Sequence, residues 1–408
     1  MNTSHGTNRV VVAGAGPVGA VCGLALSRMG VPVTVLEADP SPVQDQRAAS
    51  IHPSTLEMLD EFGLVERIRD RGLRSSVYRF HDRPTGEVVA EFDLGRLKDE
   101  TPFPYVLQFE QYKLTAAIVE EYANDSDFDM RFSHTVTSLT ETDRGVEVEC
   151  STPTGTERMR AAYVVGCDGG RSTVRKLAGI KFEGFTYPER FIKIATSFDF
   201  KTVKSNLSLR NYFSDPAEWA NVFKVRGEAP EGLWRVILPI GSDEEESVAL
   251  SEERVEQRLQ KFFPKAGAYH VEYAKVYGVS QRVAATFRRG RILLAGDSAH
   301  VNNPIGGMGM NGGIHDAINV AGKIAAVIAG SSGESVLDLY SRQRRHAAVN
   351  YVQAQTIANK RLLEERDPAV RRRNLDDLRR TADDADAARA YMRRAALFDS
   401  LRDADAIT

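Results

Sequence analysis

The run Arg9-Val10-Val11-Val12-Ala13-Gly14-Ala15-Gly16-Pro17-Val18-Gly19 constrains this chain more than any other stretch. Its consecutive valines read as a short buried strand. The strand breaks on Gly14, Gly16 and Gly19, and a small-residue amphipathic helix follows from Ala20 to Met29. A second apolar strand, Val33 to Leu36, ends in Glu37 and Ala38, with the acid about twenty residues past the glycines, the order of a dinucleotide-binding unit. Gly14 permits the tight turn, Gly16 lets the backbone approach a pyrophosphate, and Gly19 lets helix and strand pack closely. Ala15, Pro17 and Val18 complete the loop. The helix N-terminus offers free N–H groups and partial positive charge to the phosphates. Glu37 is suited to accept hydrogen bonds from an adenosine ribose. This stretch alone does not separate FAD from NAD.

With 408 residues, 42% of them hydrophobic, the chain can build a full core and two or three domains. A net charge of -3 argues against a nucleic-acid partner. Cys22, Cys150 and Cys167 are odd in number and lack metal-ligand spacing, so they read as buried free thiols in a reducing cytosol, with no metal site. Met1 to Asn8 is polar and short, unlike a signal peptide. No apolar run reaches the roughly 18–20 residues a membrane helix needs. The expectation is a soluble cytoplasmic protein with no stable membrane insertion.

Along the chain, Arg47 to Pro53 leads into a helix expected from Ser54 to about Phe62, with Ser54 and Glu57 as a capping box and Gly63 as its stop. Residues 75–104 read as antiparallel strands, an excursion from the nucleotide-binding part. A helix runs from Gln111 to Tyr122. A small β meander spans Met130 to Val165 and ends in Cys167-Asp168-Gly169-Gly170-Arg171, before another helix. A β-rich block from Phe182 to Val279 holds both tryptophans and one helix, Ser251 to Phe263. The strand Arg291 to Ala295 then ends in Gly296-Asp297. A Gly-rich loop from Asn303 to Gly313 leads into a helix expected from Ile314 to Ala329. The fold class is α/β: a discontinuous Rossmann-like nucleotide domain (1–74, 105–181, 280–345), an inserted β-rich substrate domain (75–104, 182–279) and C-terminal helices (346–408). Val336 to Glu365 is helical by period. The charged remainder reads as a solvated packing helix or a dimer contact.

Gly14–Gly19 with Glu37, then Arg47, then Asp168-Gly169 through Arg175, then Gly296-Asp297 with its glycine sequel, stand in one order. This order resembles the class A flavoprotein monooxygenases, the para-hydroxybenzoate hydroxylase-like family, over about residues 9–350. Phe182 to Arg190 and Gly232 to Val236 are similar to members acting on simple phenols, such as para-nitrophenol, resorcinol and hydroxyphenylpropionate hydroxylases. The resemblance implies a glutathione reductase-type FAD domain, FAD as cofactor, NADH or NADPH as transient reductant and O2 as co-substrate. Arg47 and Gln111 then match positions that contact the FAD phosphates and ribityl chain. Asp168-Gly169 matches a motif linked to FAD and nicotinamide binding, and Asp297 the acid that bonds the ribityl hydroxyls. Gly307, Gly309, Met310 and Asn311 would present the backbone to the flavin pyrimidine edge. Pro304 would lie near the reactive face. A homodimer is common in the family.

The implied reaction is hydroxylation of a phenolic or hydroxylated heteroaromatic ring through a flavin C4a-hydroperoxide. The small aromatic substrate needs a pocket that excludes water and favours the phenolate. His52, close after Arg47, and Tyr212 are candidates for the phenol base. Arg235 is a candidate partner for an anionic substrate. Alternation puts Leu233, Arg235 and Ile237 on one face of a strand and Trp234, Val236 and Leu238 on the other, without saying which meets the flavin. Trp219, Asn221, Phe223 and Trp234 are candidate pocket residues. His300, beside Asp297, reads as structural support. A buried acid at Asp297 would be costly unless hydrogen-bonded, and ribityl hydroxyls would satisfy it. Other readings on the same fold are an epoxidase, a halogenase, a tailoring monooxygenase for polycyclic substrates, or a non-catalytic FAD-fold binding protein. The halogenase W-x-W-x-I-P stretch is not reproduced by Trp234 to Pro239.

Overall fold

The structure, a computed structural model, describes residues 8–42, 44, 47–122, 126–228 and 231–408. The polar opening, Met1 to Thr7, lies outside the described residues. Two large sheets organise the described chain, with a three-stranded meander and a second small sheet beside them.

The six-stranded sheet runs in the order Arg288–Arg289, Ile292–Leu294, Tyr163–Gly166, Val10–Ala13, Val33–Leu36, Phe128–Arg131. Its strands are parallel except at the Arg288–Arg289 edge. Val10, Val11 and Val12 are fully buried, as a parallel sheet covered on both faces requires. Helix Pro17–Arg28 packs between this sheet and helix Met308–Ile328. That long helix opens at Met308, six residues earlier than expected. Its glycines are contact points rather than loop formers: a Cβ on Gly313 would meet Val18 at 2.7 Å and the Gly296 backbone at 2.9 Å.

The eight-stranded sheet is ordered His300–Val301, Val271–Ala284, Phe182–Thr196, Leu233–Ile240, Ala220–Val225, Arg210–Ser214, Val77–Asp82, Val88–Asp93. All its strands except His300–Val301 come from the two segments read as β-rich, and Val271–Ala284 runs past residue 279. The parallel pairing of Arg210–Ser214 with Val77–Asp82 stitches those segments together. The alternation of period two separates two cores. Ile192, Ile194, Phe213, Val222, Trp234 and Val236 pack toward helix Glu252–Phe262. Phe191, Tyr212, Phe223 and Ile237 face the other way.

The meander Thr135–Thr142, Gly145–Thr152, Gly155–Ala161 forms as expected. The second small sheet joins Ser50–Ile51, Val106–Gln108 and Leu73–Ser75. The expected capping box does not form. The helix runs Pro53–Asp60 from an N-cap at His52, and the Ser54 hydroxyl donates instead to the Ala396 carbonyl. Gly63 does follow it, at φ +71°.

Helix Ser335–Ala347 continues through a π turn, Ala348–Gln353, into Ala354–Glu364. The charged remainder is helical and packs on the second sheet. Helices Pro368–Asp383 and Ala385–Ala395 bury Leu375, Leu378 and Met392 in the second sheet's inward core. Tyr391 stacks on Phe92 with ring centroids 4.5 Å apart, and Arg371 pairs with Asp82.

Candidate active site

A cavity of about 930 Å³ lies between the glycine loop and the inward face of the eight-stranded sheet. It is large for a small-molecule site, of the size a dinucleotide and a further ring would need. At one end it touches Gly16, Pro17 and Val18, and Asp168 to Arg171. At the other it touches Tyr212, Asn221, Phe223, Ile237 and Tyr277.

The glycine loop divides its labour. Gly14 has φ +97°, and a Cβ there would sit 2.6 Å from the Cys167 carbonyl oxygen. A Cβ on Gly19 would sit 1.8 Å from the Gly14 carbonyl oxygen. Both are fixed by the protein's own packing. A Cβ on Gly16 meets nothing within 4 Å. Its bareness serves no protein contact and leaves the backbone open to the cavity, as close approach of a pyrophosphate demands. The Glu37 carboxylate accepts from the Ala15 N–H at 2.7 Å and the Asp39 N–H at 3.1 Å, so it braces the loop; neither it nor Ala38, next in the chain, is among the residues lining the cavity.

A second set of open N–H groups borders the same cavity. Gly307 is the N-cap of helix Met308–Ile328, so Met308, Gly309 and Met310 form a first turn whose N–H groups have no partner within the helix. Asn311 comes too late to offer its own N–H. Its buried side chain is a clamp instead, donating to the Ser50 carbonyl at 2.8 Å and the Gly307 carbonyl at 2.7 Å and accepting from the His52 N–H at 2.8 Å. Pro304 lines the cavity on a turn fixed by Asn303, which accepts from the Ile305 N–H and donates to the Thr356 carbonyl.

Asp297 is not the buried acid expected. Its side chain is 43% exposed at the cavity wall and pairs with Arg47 at 3.7 Å. The buried acid is Asp316, fully enclosed, with Arg344 Nε at 2.7 Å, His300 Nε2 at 2.8 Å and the Gly296 N–H at 3.1 Å. Burial pushes its carboxyl up, but Arg344 and His300 outweigh that and hold it below the ordinary range. Thus Gly296 is held by Asp316, and His300 supports Asp316 rather than Asp297. Asp168 lines the cavity while capping helix Thr173–Leu177, accepting from Ser172 Oγ and the Val174 N–H. Gln111 also lines it, and accepts from the Ala48 N–H at 3.2 Å. Cys22 and Cys150 are buried free thiols, but Cys167 is half-exposed and borders the cavity.

The ring-end candidates separate. Tyr212, Asn221 and Phe223 line the cavity. Trp219 is on the same core face but packs edge-on against Phe191, centroids 5.0 Å apart, outside the cavity lining. Trp234 is on the opposite face, where its indole N–H donates to Asp199 at 2.9 Å; it is a core residue and no part of this cavity. Arg235 lies fully buried with its guanidinium 5.9 Å from the Tyr273 ring, again outside the lining. His52 is also outside the main cavity, buried at the wall of a smaller pocket that shares Arg210, Tyr212 and Met308 with it. Burial and then the Arg210 charge push its imidazole down to about 3, so it is neutral at pH 7 and a very weak base. Among the wall residues that were not sequence candidates are Lys193 and Arg210, both buried cations on strands of the second sheet. Their only sequence signal was a cation within an apolar strand pattern.

The family model for an FAD binding domain matches residues 7–355. Para-nitrophenol 4-monooxygenase of Pseudomonas sp. (strain WBC-3) is 36% identical over 368 residues, covering 90% of this chain and 89% of that protein. A 3-(3-hydroxy-phenyl)propionate/3-hydroxycinnamic acid hydroxylase of Mycolicibacterium smegmatis is 30% identical, across 88% of this chain and 62% of that longer protein. The crystal structure of p-nitrophenol 4-monooxygenase PnpA from Pseudomonas putida DLL-E4 superposes with a TM-score of 0.90 at 35% identity, covering 96% and 97% of the two chains. The chain belongs to this FAD-binding family, and it is a flavoprotein aromatic monooxygenase. The open Gly16 backbone, the first-turn N–H groups and the cavity between them fit FAD. No helix is long and apolar enough to cross a membrane among the described residues.

Proposed function

We propose that this monooxygenase hydroxylates a small single-ring phenol, or a comparable hydroxylated heteroaromatic ring, at the expense of NADH or NADPH and O2. One observation carries the reading. The cavity that touches Gly16 and the first turn of helix Met308–Ile328 is closed opposite by Tyr212, Asn221, Phe223 and Ile237. In this reading Gly14 to Gly19, Glu37, Arg47, Gln111, Asp168, Asp297 and the backbone of Gly307 to Met310 hold FAD. The second sheet supplies the ring pocket. Bound FAD supplies the redox chemistry, taking a hydride from the nicotinamide and activating O2.

The chain's own contribution is placement and shielding. N–H groups at the start of helix Met308–Ile328 favour negative charge at that helix end. The apolar sheet face orients an aromatic ring and keeps water from it. Its likeness to para-nitrophenol and hydroxyphenylpropionate hydroxylases supports a single ring as substrate. Three free thiols support a reducing, cytoplasmic setting.

The test is NADH and NADPH oxidation by the FAD-loaded protein with a panel of phenols, hydroxybenzoates, hydroxypyridines and polycyclic phenols. Products are identified by mass. A single ring is expected to stimulate oxidation and gain one oxygen atom. Stimulation and oxygen gain confined to polycyclic rings would overturn the single-ring reading.

A further inference from the structure

The stretch 301–310 turns one side to the cavity, which Val301, Asn302, Pro304 and Gly307 to Met310 line. Two successive glycines in left-handed conformations, Gly306 at φ +107° and Gly307 at φ +69°, leave this turn free to take several shapes. Contacts from outside must select one of them. They come from the side away from the cavity, where the helix that follows the π turn Ala348–Gln353 presents a row of polar side chains.

The row has a regular spacing. Gln353 Nε2 donates to the Val301 carbonyl at 2.8 Å. Three residues on, the Thr356 carbonyl accepts from Asn303 Nδ2 at 3.0 Å. Three residues further, Asn359 Nδ2 donates to the Ile305 carbonyl at 3.3 Å. Every third residue of the helix thus holds alternate residues of the turn, 301, 303 and 305. Gln281 ties the middle together: its Oε1 accepts from the Asn303 N–H at 3.0 Å and its Nε2 donates to the Thr356 hydroxyl at 3.0 Å. Asn303 and Thr356 are fully buried. A Cβ on Gly306 would sit 2.9 Å from Asn359 Nδ2, so the turn lies as close to the row as a glycine allows.

A buried polar network carries a desolvation cost that apolar packing avoids. The compensating gain is direction, because each bond fixes one carbonyl or amide in one orientation. The Thr356 hydroxyl also donates to the Val352 carbonyl at 2.7 Å, which ties the π turn into the same set. Such turns are rare and recur at functional sites. Gln281, Asn303, Gln353, Thr356 and Asn359 all stand outside the lining of the main cavity, so whatever they do there they do through the turn.

We propose that Gln353, Thr356 and Asn359, with Gln281, are positioning residues for the reaction. They fix the turn so that Pro304 and the first N–H groups of helix Met308–Ile328 meet the cavity at one set place. The inference rests on FAD lying between Gly16 and that helix start. N–H groups aimed at a flavin favour its anionic reduced form over the neutral oxidised form, and their effect weakens steeply with distance and angle. A loosened turn therefore lowers the midpoint potential of the flavin. It also changes the fate of the electrons. Coupled turnover takes a phenol, NADH, a proton and O2 to the hydroxylated ring, NAD+ and water. Uncoupled turnover takes NADH, a proton and O2 to NAD+ and hydrogen peroxide.

The test uses the FAD-loaded protein and reads the flavin's midpoint potential without substrate, then product and hydrogen peroxide formed per NADH or NADPH consumed. Thr356→Val keeps the side chain's shape and removes its hydroxyl. It is expected to retain FAD as the parent does, since the phosphate end is untouched. It is expected to lower the potential by about 30 mV, a tenfold loss of preference for reduced over oxidised flavin. Product per NADH or NADPH should fall at least by half, with hydrogen peroxide making up the balance. Thr356→Ser, which keeps a hydroxyl, is expected to restore both readings. Thr356 is buried and its valine variant is open to misfolding, so Asn359→Ala is the second arm. Asn359 is half-buried at the end of the row, and its loss should move both readings the same way with little change in melting temperature. Variants with the parent's potential and product ratio, whatever their melting temperatures, would overturn the positioning role, as would a Thr356→Ser protein no better than Thr356→Val. Failure of every ring in the product-mass panel would instead overturn the single-ring reading, and a Gly16→Val protein that keeps its flavin would overturn the FAD placement. The potential needs no substrate, so these failures are distinct.

Discussion

The two ends of the cavity are built on different principles. The phosphate end is backbone: a glycine loop, two helix N-termini, and side chains such as Asn311 and Asp316 that hold that backbone in place. The ring end is side chains carried on distant strands, with Arg210, Tyr212, Asn221, Phe223 and Ile237 brought to one face by sheet pairing. A ligand held by backbone asks for short local patterns. A ligand held by side chains asks only for correct topology, and its residue types are free to change with the substrate.

The sharpest break between the ends lies in two glycines. Gly16→Val should fold, because a Cβ there meets no neighbouring protein atom within 4 Å, yet it should reduce FAD retention by two orders of magnitude or more, on the order of 3 kcal/mol. Gly19→Val should lose the fold itself, since its Cβ would sit 1.8 Å from the Gly14 carbonyl oxygen. Flavin absorbance and the melting temperature of the flavin-free proteins distinguish the two outcomes.

Removing Asp316 attacks the frame behind the phosphate end. Asp316→Ala leaves Arg344 buried and uncompensated and should cost about 3–5 kcal/mol in denaturant unfolding. A cost below about 1 kcal/mol would show that the pair does not hold the Gly296 turn.

Acid should act on the junction of the two ends. His52 and His315 are both held down to about 3, chiefly by burial, so the unfolded chain binds protons that the folded chain refuses. Stability is then full above the ordinary histidine value near 6.5 and falls as pH drops toward 3, by up to about 1.4 kcal/mol per pH unit for each group. Melting temperatures from pH 7.5 to 4.5 check the slope, and His52→Gln should flatten it. The same substitution should leave the pH profile of kcat unchanged near the ordinary histidine value, because burial makes His52 a very weak base.

The smallest effect belongs to Trp234→Phe. It should cost about 1–2 kcal/mol through the lost Asp199 hydrogen bond and packing, and leave the KM for the phenol unchanged. A several-fold change in KM would bring the outer core back into the site.

These differences follow what each signal in the sequence encodes. Gly14, Gly16 and Gly19 are legible because strand, turn and helix interact within a few residues. The helix start at Met308 was obscured by the glycines at 306, 307, 309, 312 and 313, which read as a loop. Inside the helix, Gly313 is there to let it approach Val18 and Gly296. The capping box at Ser54 failed because a tertiary partner, the Ala396 carbonyl, takes the hydroxyl. Alternation in Leu233–Ile240 correctly paired Arg235 with Ile237 and Trp234 with Val236. It does not tell which face meets the cavity, since that depends on the partner sheet. Tyr78 and Arg210 are 132 residues apart and meet only through a parallel strand pairing, so no local pattern announces them.

The most direct measurement puts Gly16→Val beside Asn221→Leu, reading flavin absorbance and phenol-stimulated NADH or NADPH oxidation on both. Gly16→Val should lose the flavin, and Asn221→Leu should keep it while losing most of the phenol's stimulation. A yellow Gly16→Val protein, or an Asn221→Leu protein that sheds its flavin, would contradict the division of this cavity into a backbone-built cofactor end and a side-chain-built ring end.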